Sequence, residues 1–400
     1  MYVKSVEISN VRAIDSFRWE IKHDRYAGWH VLIGDNGSGK SSVLRSMALA
    51  FVGPAEAAAL RQNWADWLRN DERRGHIAIE IDPDDKLDKF AGRGSRVKRY
   101  YLPCGLRFTR KQSKSVSLWK PKYKFDPDRH IWSGKPGWFS ASYGPFRRFA
   151  GGDKDAEKLF YSNPRLARHL SIFGEGIALS ECISWLKKLQ FKMLEARQHG
   201  ASDDHPDVAL VKHIREFVDQ SDFLPHRARI EEISSSAVRF VDGNGCNVSV
   251  DELSDGYRSI LSMTFELIRQ LVETYGVRMV FDREDPTKIA VPGVVLIDEI
   301  DAHLHPSWQR RIGAWLCEHF PRVQFIVTTH SPLVCYPGQN STIYRLPKPG
   351  TDSEGGMLKD VARDRLLYGN VLDAYSTGEF GENITRSSSS GPSTRSRRSA

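Results

Sequence analysis

The chain has 400 residues, 40% of them hydrophobic, and a formal net charge of +8, which is length and core material for about two to three domains without disulfide or metal staples. Its five cysteines, Cys104, Cys182, Cys246, Cys317 and Cys335, are odd in number and lack Cys-x-x-Cys spacing, which excludes a zinc finger or a disulfide scaffold and fits a reducing, cytoplasmic setting. No apolar run approaches the roughly twenty residues of a bilayer span, and the first residues lack the apolar core of a secretory signal, so neither export nor membrane crossing is expected.

In chain order, residues 3–9 and 17–22 alternate as paired strands, and residues 29–33 form a buried strand running straight into a glycine-rich loop at 34–41. The loop opens a helix over 40–52, followed by a second helix over 55–68 and a strand over 76–81. Hairpin-like alternation recurs at 96–101 and 116–119, and residues 138–142 read as another core strand. From about 155 to 220 the pattern is helical, with Ile183, Leu186, Leu189 and Met193, then Leu210, Ile214 and Phe217, on repeating faces and a break near 200–206. Residues 229–250 return to strands around an Asp242-Gly243-Asn244-Gly245 turn. A helix from Ser254 to about Tyr275 follows, then a strand ending at Asp298, a helix opening at Pro306, a strand over 323–328 and another near 342–346. Helices alternating with apolar strands predict a parallel sheet covered on both sides. The chain divides into an N-terminal lobe (1–150), a helical insertion (151–228), a C-terminal lobe (229–385) and a disordered Ser/Arg tail (386–400).

Charge is unevenly placed. Residues 92–125 carry eleven Lys or Arg and no acid, and the tail adds Arg386, Arg395, Arg397 and Arg398, so the rest of the chain is net acidic. Tyr100, Tyr101, Trp119 and Tyr123 are interleaved with the basic stretch. That mixture suits a nucleic-acid surface, with cations on phosphates and aromatics on bases; a merely solvated basic sheet face fits equally.

Gly34-Asp35-Asn36-Gly37-Ser38-Gly39-Lys40-Ser41 matches the phosphate-binding loop pattern in the right context, after a strand and before a helix that continues through Ser42. Glycines let backbone N–H groups approach the phosphates, the helix start contributes roughly half a positive charge, Lys40 bridges the β- and γ-phosphates and Ser41 ligates Mg²⁺. Val294-Val295-Leu296-Ile297 ends in Asp298 and Glu299. Behind such a loop, Asp298 is expected to hold the Mg²⁺ of bound ATP and Glu299 to polarise the attacking water, whereas alone the pair would be a solvated strand end. His330 closes the next apolar strand, where it can sense the γ-phosphate. His303 and His305 have metal-like spacing but no third ligand, so a structural loop entering the helix at Pro306 is the better reading. Ser254-Asp255-Gly256 opens a helix and makes a second anion cradle. One ATP needs one cradle, so ATP bound between two subunits explains the second.

On these residues the chain resembles the ABC-type ATPase heads of the structural-maintenance, Rad50 and RecF class. The resemblance implies an α/β P-loop fold, a mixed sheet flanked by helices, with the basic β-rich lobe and the short helical insertion added. It also implies that Leu253 to Gly256 is the signature, that Asp301 belongs to the D-loop and that His330 is the switch. Leu253-Ser254-Asp255-Gly256-Tyr257, Ile297-Asp298-Glu299-Ile300-Asp301 with His303-Leu304-His305-Pro306, and Thr328-Thr329-His330-Ser331-Pro332 look most like a compact bacterial group. That group includes the ATPase of the Septu antiphage system and retron-associated relatives, and is similar to the overcoming-lysogenization-defect ATPases. Two departures stand out. Tyr143-Gly144-Pro145-Phe146-Arg147 replaces the family's Q-loop glutamine, and no acidic cluster follows His330 for a fused nuclease.

The expected function is therefore an ATP- and Mg²⁺-dependent ATPase that forms a homodimer or higher homo-oligomer around ATP. It would control a separately encoded effector, a nuclease, in antiphage defence, with DNA or RNA contacting 92–125. A repair or chromosome-maintenance head is the alternative, favoured by a long arm that the sequence lacks, and a transporter motor would need membrane partners.

Overall fold

The computed structural model describes residues 1–88, 101–112, 114–133, 137–147, 162–174, 181–220, 228–234, 237–336, 341–351, 353–359, 361, 363–364 and 366. Part of the basic stretch (92–100), the start of the predicted helical region (155–161) and the Ser/Arg tail lie outside these residues.

Five strands form an antiparallel sheet in the order β2-β1-β4-β5-β6: β1 (Tyr2–Val11), β2 (Ile14–Glu20), β4 (Arg74–Asp82), β5 (Leu102–Arg110) and β6 (Val116–Trp119). The central sheet runs β14-β13-β3-β12-β11-β7. Its members are β3 (Gly28–Ile33), β7 (Ser140–Tyr143), β11 (Gly293–Ile297), β12 (Val323–Thr328), β13 (Ser341–Arg345) and β14 (Gly356–Met357). Only β14 pairs antiparallel. A three-stranded sheet, β8 (Arg229–Ile233), β9 (Val238–Val241) and β10 (Asn247–Ser249), carries the predicted turn, where Asp242 Oδ1 accepts the N–H groups of Asn244 and Cys246 at 2.8 Å.

Period-2 alternation divides the interior. Trp29, Val31, Ile33, Val295, Ile297, Phe325 and Val327 face one apolar core; Leu32, Val294, Leu296 and Ile326 face the other, beneath the antiparallel sheet. The first core packs against helices α2 (Glu181–Gln198), α3 (Pro206–Gln220), α4 (Asp255–Tyr275) and α5 (Pro306–His319), the second against α1 (Lys40–Val52). Both faces are covered, as parallel sheets require. Buried Gln324 ties the sheets together, accepting the Val3 N–H at 2.6 Å and donating to the Val3 carbonyl at 3.0 Å. Among the described residues, no single helix is long and apolar enough to cross a membrane.

The second predicted helix is the main local error. Helix persists only over Pro54–Ala57, and residues 58–66 break into two short 3₁₀ turns. Arg61 takes a left-handed φ of 50°, the Asn63 side chain caps the second turn through the Ala65 N–H, and Trp67 stacks on Phe108. Two tryptophans in a row of apolar spacing mimic a helix face while packing under a sheet.

Two buried histidines make the fold acid-sensitive. His30 Nε2 lies 3.0 Å from the Tyr26 carbonyl, which can only accept, so Nδ1 is the acceptor for the Thr342 hydroxyl at 2.8 Å and the ring is neutral. Burial lowers its pKa from the usual 6.5 to about 4, and burial likewise pushes His169 well down. Between those values the unfolded chain binds the proton and the folded one does not, so stability rises with pH. It is complete above about 6.5 and falls as pH drops toward 4. Going from pH 7 to pH 5 should therefore cost about 2 kcal/mol through His30 alone. Urea unfolding at both pH values should show that difference shrinking by about this amount in His30→Gln; an unchanged difference would exclude His30 as the source.

Candidate functional site

The order β3-β12-β11 separates the strand feeding the glycine loop from the strand feeding the acids by one intervening strand. All three run parallel, so the loop after β3, the Asp298-Glu299 turn after β11 and Thr328 at the end of β12 meet at the same sheet edge. Carboxyl ends of parallel strands are where open α/β sheets bind ligands.

α1 opens at Gly39 with no side-chain cap, so the N–H groups of its first turn are available to an anion. Gly39 itself has φ +96°, and a Cβ there would press to 3.2 Å from Ile14 at the start of β2, so glycine is favoured on both counts. Gly34 begins the loop, Asn36 and Gly37 form its exposed lip, Ser38 and Lys40 are buried, and Ser42 is half-buried. Lys40 Nζ donates to the carbonyls of Gly34 (2.7 Å) and Asp35 (3.1 Å), holding the loop as a ring. Loss of hydration lowers its pKa, and the nearby carboxylates of Asp298, Glu299, Asp35 and Asp301 oppose that shift.

A chain of hydrogen bonds joins the three strand ends. Ser41 Oγ donates to Asp298 Oδ1 at 3.1 Å, and Thr328 Oγ1 donates to the same oxygen at 2.6 Å while accepting the Glu299 N–H at 2.8 Å. Glu299 is held at φ 47°, a left-handed conformation that turns the backbone sharply out of the strand. A hydroxyl and a carboxylate, hard oxygens facing each other, are the donor set that Mg²⁺ takes, so Ser41 and Asp298 fit that ion.

Asp301 points within its own chain to the loop after β12. Its carboxylate accepts Thr329 Oγ1 at 2.6 Å and the His330 N–H at 3.3 and 3.4 Å. The His330 pKa is lowered, first by lost hydration and then by the Lys40 charge, which places its ring in the field of the loop. His305 is the side-chain cap of α5, its Nδ1 accepting the Ser307 N–H at 3.3 Å. Among the described residues no group of three or more His, Cys, Asp or Glu is placed to hold a metal.

Ser254 precedes α4 with extended backbone, is exposed, and makes no capping bond to the helix. Asp255 is ion-paired with Arg258. Gly256 packs so closely on the turn after the acids that a Cβ would lie 2.7 Å from the His303 carbonyl.

The basic lobe differs from expectation at Lys120. The acid-free stretch ends at Phe125, but Asp126 and Asp128 fold back onto Lys120 and neutralise it. Tyr123 is partly buried, its hydroxyl 2.8 Å from where a Gly105 Cβ would stand. Among the described residues, the accessible part of the surface includes Tyr101, 42% exposed, and Trp119, 41% exposed with Arg107 over its ring, together with exposed Lys111, Lys114, Lys122 and Lys124.

Sequence reasoning overlooked two side chains of this region. Thr328 was legible as a hydroxyl ending an apolar strand beside the acids. Arg147 had a weaker signal, the first of two consecutive arginines after the Tyr143-Gly144-Pro145-Phe146 segment.

A family model described as "AAA domain, putative AbiEii toxin, Type IV TA system" matches residues 183–335. The Septu protein PtuA of Bacillus mycoides (strain KBAB4) is 27% identical over 335 residues, covering 83% of this chain and 38% of that protein. The Retron Ec83 probable ATPase of Escherichia coli is 37% identical over 124 residues, covering 31% of this chain and 22% of that protein. The match thus spans well under half the length of either relative. Among solved structures, the Smc head bound to the C-winged helix domain of ScpA aligns over 90% of this chain and 97% of that chain, at 16% identity and a TM-score of 0.48.

Proposed function

We propose that this ABC-type P-loop ATPase head, a relative of the Septu and retron ATPases of antiphage defence, binds ATP and Mg²⁺ at the loop of residues 34–41 and closes on a second copy of itself. Ser254, Asp255 and Gly256 of one copy complete the γ-phosphate site of the other. Turnover then controls a separately encoded effector, a nuclease, with nucleic acid as the sensed ligand. The observation that supports this reading most is the hydrogen-bonded chain Ser41-Asp298-Thr328-Glu299, in which a hydroxyl, a carboxylate and the Glu299 backbone are joined beside the glycine-rich loop.

In the mechanism, first-turn N–H groups of α1 and the Lys40 ammonium take the β- and γ-phosphates. Ser41 and Asp298 would hold Mg²⁺, which when bound would supply charge neutralisation for the phosphates. Glu299 orients the attacking water and accepts its proton, while His330 contacts the γ-phosphate and Asp301 keeps the His330 loop in register. Arg107, Trp119 and the four exposed lysines supply the nucleic-acid contact, by charge and stacking.

The exposed Ser254, which makes no side-chain cap on α4, gives the test. With a non-hydrolysable ATP analogue and Mg²⁺, sedimentation velocity should show the wild-type chain shifting to dimer. Ser254→Arg should bind a fluorescent ADP normally and stay monomeric. Equal dimerisation of both would remove the shared-site reading.

A further inference from the structure

We propose that Arg147 is a positioning residue that fastens the acid-bearing turn after β11 to the signature end of α4, so that the two half-sites of one chain respond as a unit. The proposal rests on the functional reading above, because only an ATPase that uses both ends of the molecule has two half-sites to couple.

Arg147 lies four residues beyond β7 and is buried, 4% exposed. β7 is the edge neighbour of β11, and the Asp298 N–H donates to the Tyr143 carbonyl at 2.8 Å, so the chain leaves β7 directly beside the acids. The guanidinium then spreads across the turn. Nη1 donates to the carbonyls of Gly144 and Asp298, both at 3.0 Å; Nη2 donates to those of Glu299 (3.2 Å), Ile300 (3.3 Å) and Ala302 (3.5 Å). Its remaining nitrogen, Nε, faces the other way and donates to Ser259 Oγ on α4 at 2.9 Å. The Arg147 carbonyl in turn accepts the Ser262 hydroxyl at 3.4 Å.

An apolar side chain would fill this space at no desolvation cost, whereas a buried cation must be matched by acceptors. The acceptors here are carbonyls that the left-handed Glu299 and its successors turn to one side, an array that suits a planar fork with five N–H donors and that the three donors of lysine can meet only in part. Burial lowers the arginine pKa to about 10, against the pull of Asp301, Asp298 and Glu299, so the group stays cationic at neutral pH. The Gly256 contact with the His303 carbonyl closes a second link between the same two elements. A nucleotide that shifts Asp298 and Glu299 therefore pulls on the turn of α4 that follows Ser254, and a partner pressing on Ser254 pushes back on the acids.

Ser259→Ala tests this with little risk to folding, since it removes the guanidinium's bond to α4 and leaves every carbonyl contact, the Ser262 bond included, in place; Arg147→Lys is the companion. Full-length wild type and variants are compared for affinity toward a fluorescent ADP, kcat and KM for Mg-ATP, and dimer fraction with the non-hydrolysable analogue. The expected result is ADP affinity within about 2-fold of wild type, kcat and analogue-driven dimerisation each weakened by roughly 3- to 30-fold, and a milder loss in Arg147→Lys than in Arg147→Met. Wild-type kcat and dimerisation in Ser259→Ala would overturn the proposal, and so would a lower melting temperature with unchanged kcat per folded molecule. If wild type itself neither turns over ATP nor dimerises, the functional reading falls and the coupling with it, an outcome distinct from the first two.

Discussion

Glu299→Gln is expected to bind Mg-ATP with near-wild-type affinity and to lower turnover by about 10²-fold or more, the usual cost of losing a general base. The geometry makes this a clean substitution. What holds residue 299 in place is its backbone: the N–H bonded to Thr328 Oγ1 at 2.8 Å, the carbonyl bonded to Arg147 at 3.2 Å, and a φ of 47°. None of these involves the carboxylate, so glutamine keeps the turn and loses only basicity. Asp298 and Ser41 remain paired, so the oxygens proposed to hold Mg²⁺ are untouched. Nucleotide that binds and is not cleaved should keep two copies closed, so dimers should accumulate with ATP itself rather than only with an analogue. Single-turnover phosphate release and sedimentation on the same sample check both parts; release at the wild-type rate would take the base role away from Glu299.

The parts of this site legible in the sequence are those that chemistry ties to short spacing. The loop over 34–41 and its helix announce themselves because a phosphate cradle needs closely spaced glycines, and helix α1 begins and ends where the apolar pattern places it, at Lys40 and Val52. β11 and β12 are buried at every position and mostly apolar because both faces of the sheet are covered, so their ends, and hence Asp298 and His330, could be read directly. What could not be read is who stands beside whom. Nothing local says that β12 inserts between β3 and β11, yet that order is what puts the Thr328 hydroxyl on the Asp298 carboxylate. The same blindness explains Lys120, whose neutralising acids lie just past the end of the acid-free stretch and reach it only by folding back. It explains Arg147 too, whose partners are backbone carbonyls roughly 150 residues away, a type of contact with no sequence signature.

Lys40→Ala should fail at the earlier step, losing nucleotide binding rather than turnover alone. Lys40 does two things in the loop. Its ammonium is a buried charge, and its bonds to the Gly34 and Asp35 carbonyls keep the loop curled around the place the β- and γ-phosphates would take. Carbonyl oxygens near an anion site are repulsive unless a cation occupies them, so removing the ammonium both deletes an attractive charge and leaves two acceptors turned toward the ligand. The opposing carboxylates of Asp298, Glu299 and Asp301 then face the γ-phosphate with less compensation. Nucleotide present at 100 times its Kd should stabilise the wild-type fold by about 2.7 kcal/mol, because only the folded state binds it. In Lys40→Ala that stabilisation should vanish at the same nucleotide concentration, while the melting temperature without nucleotide stays close to wild type, since α1 is held by apolar packing of Val43, Leu44, Met47 and Phe51 rather than by the loop. Differential scanning calorimetry with and without Mg-ATP measures both quantities together. A nucleotide-induced shift as large in the variant as in wild type would mean that Lys40 holds the loop but not the phosphates, and the β- and γ-oxygens would have to be assigned to the α1 N–H groups alone.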